Sequence, residues 1–108
     1  MTIPSDVTIG LAGSAQEALN AYSLAESQLG PLGPKHSRDY YTTAFATAPG
    51  LFVLASRENA ICGCALGSIE DDHVLVGPVA VSANLRLRGI GREMMAMLER
   101  QTRAVGHN

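Results

Sequence analysis

The chain has 108 residues, a formal net charge of −2 and a hydrophobic fraction of 46%, so we expect one small globular domain over residues 1–108. Its slight acidity argues against nucleic-acid binding, which needs a dense basic face. The sequence has no apolar run of about 18 residues and no basic-then-apolar N-terminal segment, which argues against a membrane span and a secretory signal. The expected compartment is therefore the cytoplasm.

The first elements in chain order are a strand and a helix. Weak alternation of apolar residues predicts a strand from Asp6 to Ala12. Ser14 then begins a helix, and Glu17, three residues later, completes a capping box in which each side chain bonds the other residue's amide. The helix ends near Gly30, before a proline. Its predicted apolar face consists of Leu19, Tyr22, Leu24 and Leu29.

A Gly/Pro loop separates this helix from a second helix, predicted from Ser37 to Ala48, with Tyr40, Tyr41 and Phe45 as packing residues. Three apolar segments separated by polar turns then predict consecutive strands, the first two forming a hairpin. Proline cannot donate to a ladder, so Gly77-Pro78 in the third strand indicates a bulge or an edge. The three strands are Leu51–Ser56, Ala60–Ile69 and His73–Val81.

Two cysteines, Cys62 and Cys64, lie in the second of these strands. Because they are two residues apart, we expect both side chains on one face of the sheet. Strand neighbours are held too far apart for a disulfide, and the sequence offers no second ligand pair at metal-finger spacing. We therefore predict two buried thiols and no metal site.

The last predicted helix runs from about Gly91 to Val105, and it follows a glycine turn that comes soon after the third strand. The first amides of a helix have no intrahelical acceptor, and the helix dipole places partial positive charge there. Glycines let the backbone approach a ligand closely. With flanking Arg86, Arg88 and Arg92, the turn is predicted to bind an anion such as a pyrophosphate. The helix residues Met94, Met95, Leu98, Thr102 and Val105 form a core-facing stripe.

The spacing of this turn distinguishes between phosphate-binding motifs. Gly91-Arg92-Glu93 lacks the Gly-Lys-Ser/Thr of a P-loop, and the G-x-G-x-x-G spacing of a dinucleotide fold is absent. What is present is R-x-x-G-x-G between an apolar strand and an amphipathic helix. The segment VGPVAVSANLRLRGIGREMMAMLE, residues Val76–Glu99, resembles the acyl-CoA motif of the GNAT superfamily of N-acetyltransferases. The order strand, helix, helix, strand, strand, strand, helix also resembles that family's.

The resemblance implies an α/β fold of the α+β type with a mixed sheet, and acetyl transfer from acetyl-CoA to a primary amine of an unidentified acceptor. It implies that the backbones of Val79, Ala80 and Val81 pair with the pantetheine arm, and that an amide near Val79 polarises the thioester carbonyl. The diphosphate would be wrapped by Leu87, Arg88, Gly89, Ile90, Gly91 and Arg92.

The catalytic groups are not assigned by any motif. In this family a carboxylate or a water relay usually serves as the base. Glu70 and His73 are the better placed of the candidates in the turn before the third strand, and Asp71 and Asp72 read as ordinary turn formers.

Family members that resemble this chain normally continue with a parallel strand, a helix and a hairpin, where the tyrosine acid usually lies. We therefore expect an incomplete domain, C-terminally truncated and with weak or no activity alone. We also expect a homodimer through the apolar edge that this leaves exposed. Two alternatives stay open: a non-catalytic CoA-binding or interaction module, and a plain structural domain in which the arginine-rich turn has no ligand.

Overall fold

This computed structural model describes residues 5–30, 37–71, 73–85 and 89–104. The predicted order of elements is confirmed. The strands and helices are β1 (Val7–Leu11), α1 (Ala15–Leu29), α2 (Arg38–Thr47), β2 (Phe52–Arg57), β3 (Ala60–Glu70), β4 (His73–Val81) and α3 (Ile90–Ala104), with short 3₁₀ turns at Pro49–Leu51 and Ala83–Leu85.

The four strands form one antiparallel sheet in the order β1-β2-β3-β4. A tight turn at Glu58 and Asn59 joins β2 to β3, and both residues have positive φ angles, 54° and 64°. Two such residues give the backbone twist that a two-residue hairpin needs, so the predicted hairpin is confirmed. Within the described part of the sheet, β1 and β4 are the two edge strands.

The sheet separates two apolar clusters. One lies between the sheet and helices α1 and α2, and includes Tyr41, Phe52, Leu54, Cys64, Leu66 and Ala80. The other lies between the sheet and α3, and includes Leu51, Val53, Cys62, Leu85, Ile90, Met94 and Leu98. We call these two sides of the sheet the α1/α2 face and the α3 face. No helix in the described ranges is long and apolar enough to cross a bilayer.

Helix α1 begins at the predicted cap, but its packing differs from the prediction. The Ser14 hydroxyl accepts a hydrogen bond from the Glu17 amide at 3.2 Å, whereas the Glu17 carboxylate accepts from the amide of Gly13 at 2.6 Å, not from that of Ser14. The predicted leucine face is wrong in part, since Leu29 is 51% exposed. The fully buried positions are small, because small side chains let the helix lie close to the sheet: Ala18, Ala21 and Ala25.

Helix α2 follows its prediction more closely. The Ser37 hydroxyl accepts from the amide of Tyr40 at 3.2 Å, as a helix cap does. Tyr41 is fully buried, and Tyr40 and Phe45 pack partly buried against the same cluster. The stripe predicted on α3 is also confirmed, since Met94, Leu98 and Thr102 are buried, and Val105 lies outside the described residues.

A bulge in β3 overturns the prediction that both cysteines lie on one face of the sheet. Ala55 pairs with Gly63 and Ser56 pairs with Ile61, so Cys62 is an extra residue opposite β2. An extra residue reverses the alternation of side chains. Cys62 therefore lies on the α3 face and Cys64 on the α1/α2 face, both as free thiols.

A second bulge lies at the predicted Gly77-Pro78. Ala65 pairs with Val79 and Gly67 pairs with Val76, so two residues of β4 oppose one residue of β3. Because the alternation shifts there, Val79 lies on the α3 face, as Val76 does, although the two residues are three positions apart in the sequence. The bulge divides β4 into an N-terminal half, residues 73–76, and a C-terminal half, residues 79–81.

Candidate functional site

The end of β4 and the start of α3 lie side by side. A Cβ atom built on Gly91 would be 3.9 Å from Cγ2 of Val81. The Ser82 amide donates to the Cys62 carbonyl at 2.8 Å, and the Leu85 amide donates to the Ser82 carbonyl at 2.9 Å. Leu85 is buried in the α3-face cluster. The chain therefore leaves β4 on a fixed path, and no signal in the sequence had marked Ser82 or Leu85 as its anchors.

Gly89 immediately precedes the first residue of α3. Its φ angle is 81°, in the left-handed region that favours glycine, and its carbonyl accepts the first helical bond, from the Glu93 amide at 3.0 Å. Helices α1 and α2 begin at serines whose hydroxyls accept a first-turn amide. Glycine has no side chain to do so, and the amides of Ile90, Gly91 and Arg92 therefore have no cap from this residue.

Each residue of this first turn has a different environment. The side chain of Ile90 is 1% exposed in the core, so only its backbone can meet a ligand. Around Gly91 the fold leaves ordinary van der Waals space, so packing does not require glycine there. The side chain of Arg92 is exposed and adds positive charge at the positive end of the helix dipole. This end of α3 is therefore suited to an anion held by backbone amides.

The C-terminal half of β4 leads to this turn. Val79 and Val81 are partly buried on the α3 face, and Ala80 is buried on the α1/α2 face. Their side chains are thus held by the core on both faces, and β4 is an edge strand of the described part of the sheet. An extended ligand could pair with that edge as an added strand does.

The structure does not bring all the predicted site residues together. Leu87 and Arg88 lie outside the described residues, as does Arg86. Glu70 pairs with His73 at the far end of β4, and six strand residues from His73 to Val79 correspond to about 20 Å. The backbones of these two candidate bases are therefore distant from the amide of Val79, and the base stays unassigned.

Cys64 is a titratable residue directly beside the C-terminal half of β4, since it pairs with Ala80. Burial raises the pKa of its thiol to about 11, and the thiol donates to the carbonyl of Ala21 at 3.7 Å. The thiolate is the reactive form of cysteine, so Cys64 is a packing residue near neutral pH. Among the described residues, no three His, Cys, Asp or Glu side chains are placed to hold a metal ion.

Known proteins share both this fold and this sequence pattern. Residues 17–108 match the family model described as "Acetyltransferase (GNAT) family", whereas no curated protein sequence matches the chain significantly. The structure of Ard1 from Thermoplasma volcanium matches with a TM-score of 0.75 and 17% identity, over 94% of this chain and 67% of that one.

Two further matches contain ligands. A GNAT family acetyltransferase from Brucella melitensis in complex with acetyl-CoA has a TM-score of 0.70 and 20% identity, over 94% of this chain and 71% of that one. Diaminobutyrate acetyltransferase from Paenibacillus lautus, in complex with L-2,4-diaminobutyric acid and coenzyme A, has a TM-score of 0.75 and 21% identity, over 91% and 59%.

The chain spans only part of many such proteins, from 24% to 74% of their length. At these identities the structural matches establish the fold, and the family match, which covers most of the chain, establishes the relationship in sequence. The chain belongs to the acetyltransferase (GNAT) family.

Proposed function

We propose that this chain binds acetyl-CoA along β4 and at the first turn of α3, and that it serves the transfer of the acetyl group to a primary amine. The observation that carries the proposal is the start of α3, where Gly89 has no side chain to cap the first-turn amides and Gly91 leaves space beside them. A diphosphate matches such a site in charge and in its many acceptor oxygens.

Each predicted site residue has a separate part in the proposal. The amides of Gly89, Ile90, Gly91 and Arg92 hold the diphosphate, helped by Leu87 and Arg88. The outer edge of Val79, Ala80 and Val81 pairs with the pantetheine arm. Gly91 lies beside Val81, so diphosphate and arm would bind as one continuous ligand.

The proposed reaction is a direct attack. The amine nitrogen, after loss of a proton to a base or a water relay, bonds to the thioester carbonyl carbon. The carbon–sulfur bond then breaks, and coenzyme A leaves as a thiolate that takes up a proton. The amide of Val79, beside the bulge, is the proposed donor to the oxyanion. The Paenibacillus lautus protein binds an amino acid with two amines, which supports a small primary amine as acceptor.

A second candidate is a module that binds coenzyme A without transfer. One observation favours it: Glu70 and His73, the candidate bases, lie about 20 Å along β4 from Val79. Isotope-labelled acetyl transfer to a panel of amines, run beside calorimetric CoA binding, separates the two. Binding with transfer supports the enzyme, and binding alone selects the module.

The diphosphate site is tested by Gly91→Asp. The new carboxylate would lie where the diphosphate binds, and we expect the Kd for CoA to rise at least tenfold while the fold is kept, because the space around Gly91 is open. Gly10→Asp is the matched control: the same charge change at a glycine with no atom within 4 Å of an added Cβ, on strand β1. Unchanged CoA affinity in Gly91→Asp would refute the site.

The proposal also includes a homodimer through the outer edge of β4. Strand β4 is the longer of the two edge strands in the described sheet, nine residues against five in β1. A long apolar edge invites pairing with another chain.

A further inference from the structure

A small cavity lies between α2 and the end of β3, on the α1/α2 face of the sheet. Its volume is about 140 Å³, and the other residues that line it are apolar. None of the described lining residues is charged, so the cavity presents hydroxyl groups on an otherwise apolar wall. We call it the hydroxyl cavity, after the four lining residues that have this group: Tyr40, Thr43, Thr47 and Ser68.

Ser68 occupies a position that the alternation of β3 assigns to the core. Cys64 and Leu66 point into the cluster under α1 and α2, and Ser68 is the next residue on that face. Gly67, between them in the sequence, faces Leu98 on the other side of the sheet. Ser68 is only 9% exposed. A buried polar residue in a core position is more informative than an exposed one, because it breaks the local pattern without improving the packing.

Helix α2 supplies the opposite wall from one of its flanks. Tyr40, Thr43 and Thr47 are spaced by three and four residues, so they lie on one side of the helix. The neighbouring Thr42 is not part of this wall, and its hydroxyl donates within α2 to the carbonyls of Arg38 and Asp39, at 3.3 and 3.1 Å. The flank that faces β3 is therefore a row of hydroxyl residues.

The hydroxyl cavity and the bulge of β4 lie on the same face of the sheet. A Cβ atom built on Gly77 would be 3.4 Å from Cγ of Leu66, so Leu66 lies beside the bulge. Ser68 follows Leu66 on that face and pairs with Leu75, two residues before Gly77. Two strand residues correspond to about 7 Å. The cavity is therefore about the length of one small molecule from the proposed position of the thioester.

The helices limit the side from which an acceptor amine can reach the bulge. Helix α3 packs on one face of β4, and α1 packs on the other face over the C-terminal half, where Ala80 is buried. The remaining approach in the described structure is on the α1/α2 face, past α2. Both walls of the hydroxyl cavity belong to α2 and β3, and β4 separates β3 from the sheet edge. These walls therefore do not depend on what pairs with β4.

We propose that the hydroxyl cavity holds the far end of the acceptor, and that this acceptor is a primary amine whose other polar groups are hydroxyls, such as an amino sugar. The inference rests on the proposed function and names the class of its acceptor. Serine and threonine hydroxyls both donate and accept, so they can exchange hydrogen bonds with hydroxyls of a ligand. A carboxylate would need a cationic partner, and no described lining residue is charged. The acceptor therefore differs from the amino acid that the Paenibacillus lautus protein binds.

Binding of two amines to the full chain, with and without CoA, tests the acceptor class without requiring turnover. Glucosamine and L-2,4-diaminobutyric acid both carry an ammonium group, but the first has hydroxyls and the second a carboxylate. We expect glucosamine to shift the amide NMR signals of Thr47 and Ser68 and to bind about tenfold more tightly. Equal or tighter binding of diaminobutyric acid, or no shift of these signals at tens of millimolar glucosamine, would overturn the inference. Loss of CoA binding alone, with the glucosamine shifts present, would instead refute the proposed function.

Removal of single hydroxyls locates the contact. Thr47→Val keeps the shape of the side chain, and Ser68→Ala removes only the hydroxyl. We expect each to raise the Kd for glucosamine about fivefold, the effect of one lost hydrogen bond, with the Kd for CoA unchanged. Thr42→Val is the matched control on α2, because the Thr42 hydroxyl bonds within its own helix, and it should change neither Kd. An equal loss in Thr42→Val and Thr47→Val, or an unchanged Kd in Ser68→Ala, would contradict the proposed contact.

Discussion

Cys62 and Cys64 lie on opposite faces of the sheet, although one residue separates them. Cys62 packs in the cluster under α3, and Cys64 in the cluster under α1 and α2. The bulge in β3 produces this reversal, and the bulge at Gly77-Pro78 does the same in β4. The two bulges together decide which side chains face α3, and thereby how β4 and the start of α3 meet at the candidate site.

The buried thiol of Cys64 predicts a loss of stability in alkali. Burial raises the pKa of this thiol from 9.0 to about 11, so the folded state binds the proton more tightly than the unfolded state. The contribution is fully present below pH 9 and is lost as pH rises from 9 towards 11. We expect the free energy of unfolding, measured with urea, to fall by about 2 kcal/mol over this window.

Cys64→Ala should flatten that pH dependence, although it lowers stability at pH 7 by leaving a small cavity. Tyr41, whose pKa is also raised by burial, acts in the same direction above pH 10 and would remain in the variant. An equal slope in the wild type and in Cys64→Ala between pH 9 and 10 would show that the thiol is not responsible.

Tyr41→Phe is expected to raise stability. The Tyr41 hydroxyl is buried without a hydrogen-bond partner among the described residues, and a buried unpaired polar group costs about 1–3 kcal/mol. Phenylalanine would keep the edge-on ring contacts with Tyr22 and Phe52, at centroid distances of 5.4 and 6.1 Å. We expect a gain of about 1 kcal/mol by urea denaturation.

The control for that substitution is Tyr22→Phe. The Tyr22 hydroxyl donates to the Glu26 carboxylate at 2.8 Å at the surface, so its removal should change stability little. If Tyr41→Phe were destabilising by 1 kcal/mol, the hydroxyl would have to be hydrogen-bonded in the folded protein.

Gly67→Ala should weaken the packing of α3 on the sheet. An added Cβ would be 3.0 Å from Cδ1 of Leu98, 3.2 Å from Cγ1 of Val74 and 3.3 Å from Cβ of Leu51. These atoms belong to packed core side chains, so we expect a loss of about 1–3 kcal/mol in thermal or urea unfolding. Gly63→Ala should cost a similar amount, because an added Cβ there would be 3.1 Å from Cε of Met94 and 3.2 Å from Cβ of Ala55.

Gly10→Ala is the neutral comparison for both, since an added Cβ meets nothing within 4 Å. We expect it to change stability by less than about 1 kcal/mol, because alanine would only reduce the conformational freedom of the unfolded chain. A loss at Gly10 equal to that at Gly67 would mean that strand glycines matter for reasons other than contact with α3.

Arg92→Ala distinguishes side-chain charge from backbone amides at the proposed diphosphate site. The Arg92 side chain is exposed, and one screened charge contributes about 0.5–1 kcal/mol. We expect the Kd for CoA to rise severalfold in Arg92→Ala, less than in Gly91→Asp, and the difference from wild type to shrink in 0.5 M salt. A loss in Arg92→Ala that exceeds the loss in Gly91→Asp would show that the amides are not the main contact.

Some of this structure follows from local chemistry and is therefore predictable. Ser14 and Ser37 mark the helix starts because a hydroxyl can accept a first-turn amide. Pro78 marks a bulge because it has no amide hydrogen to donate. Gly89 marks the start of α3 for an equally local reason, since its φ of 81° favours glycine.

Other features depend on contacts between distant residues, and no local pattern shows them. The sequence by itself determined the order of elements, the helix caps, the Gly77-Pro78 bulge and the family resemblance, because each depends on a few neighbouring residues. Only the tertiary structure decided the faces of Cys62 and Cys64 and the burial of alanines instead of leucines on α1. It also decided how the end of β4 lies beside the start of α3, because strand register and helix packing are set by residues far apart in the chain.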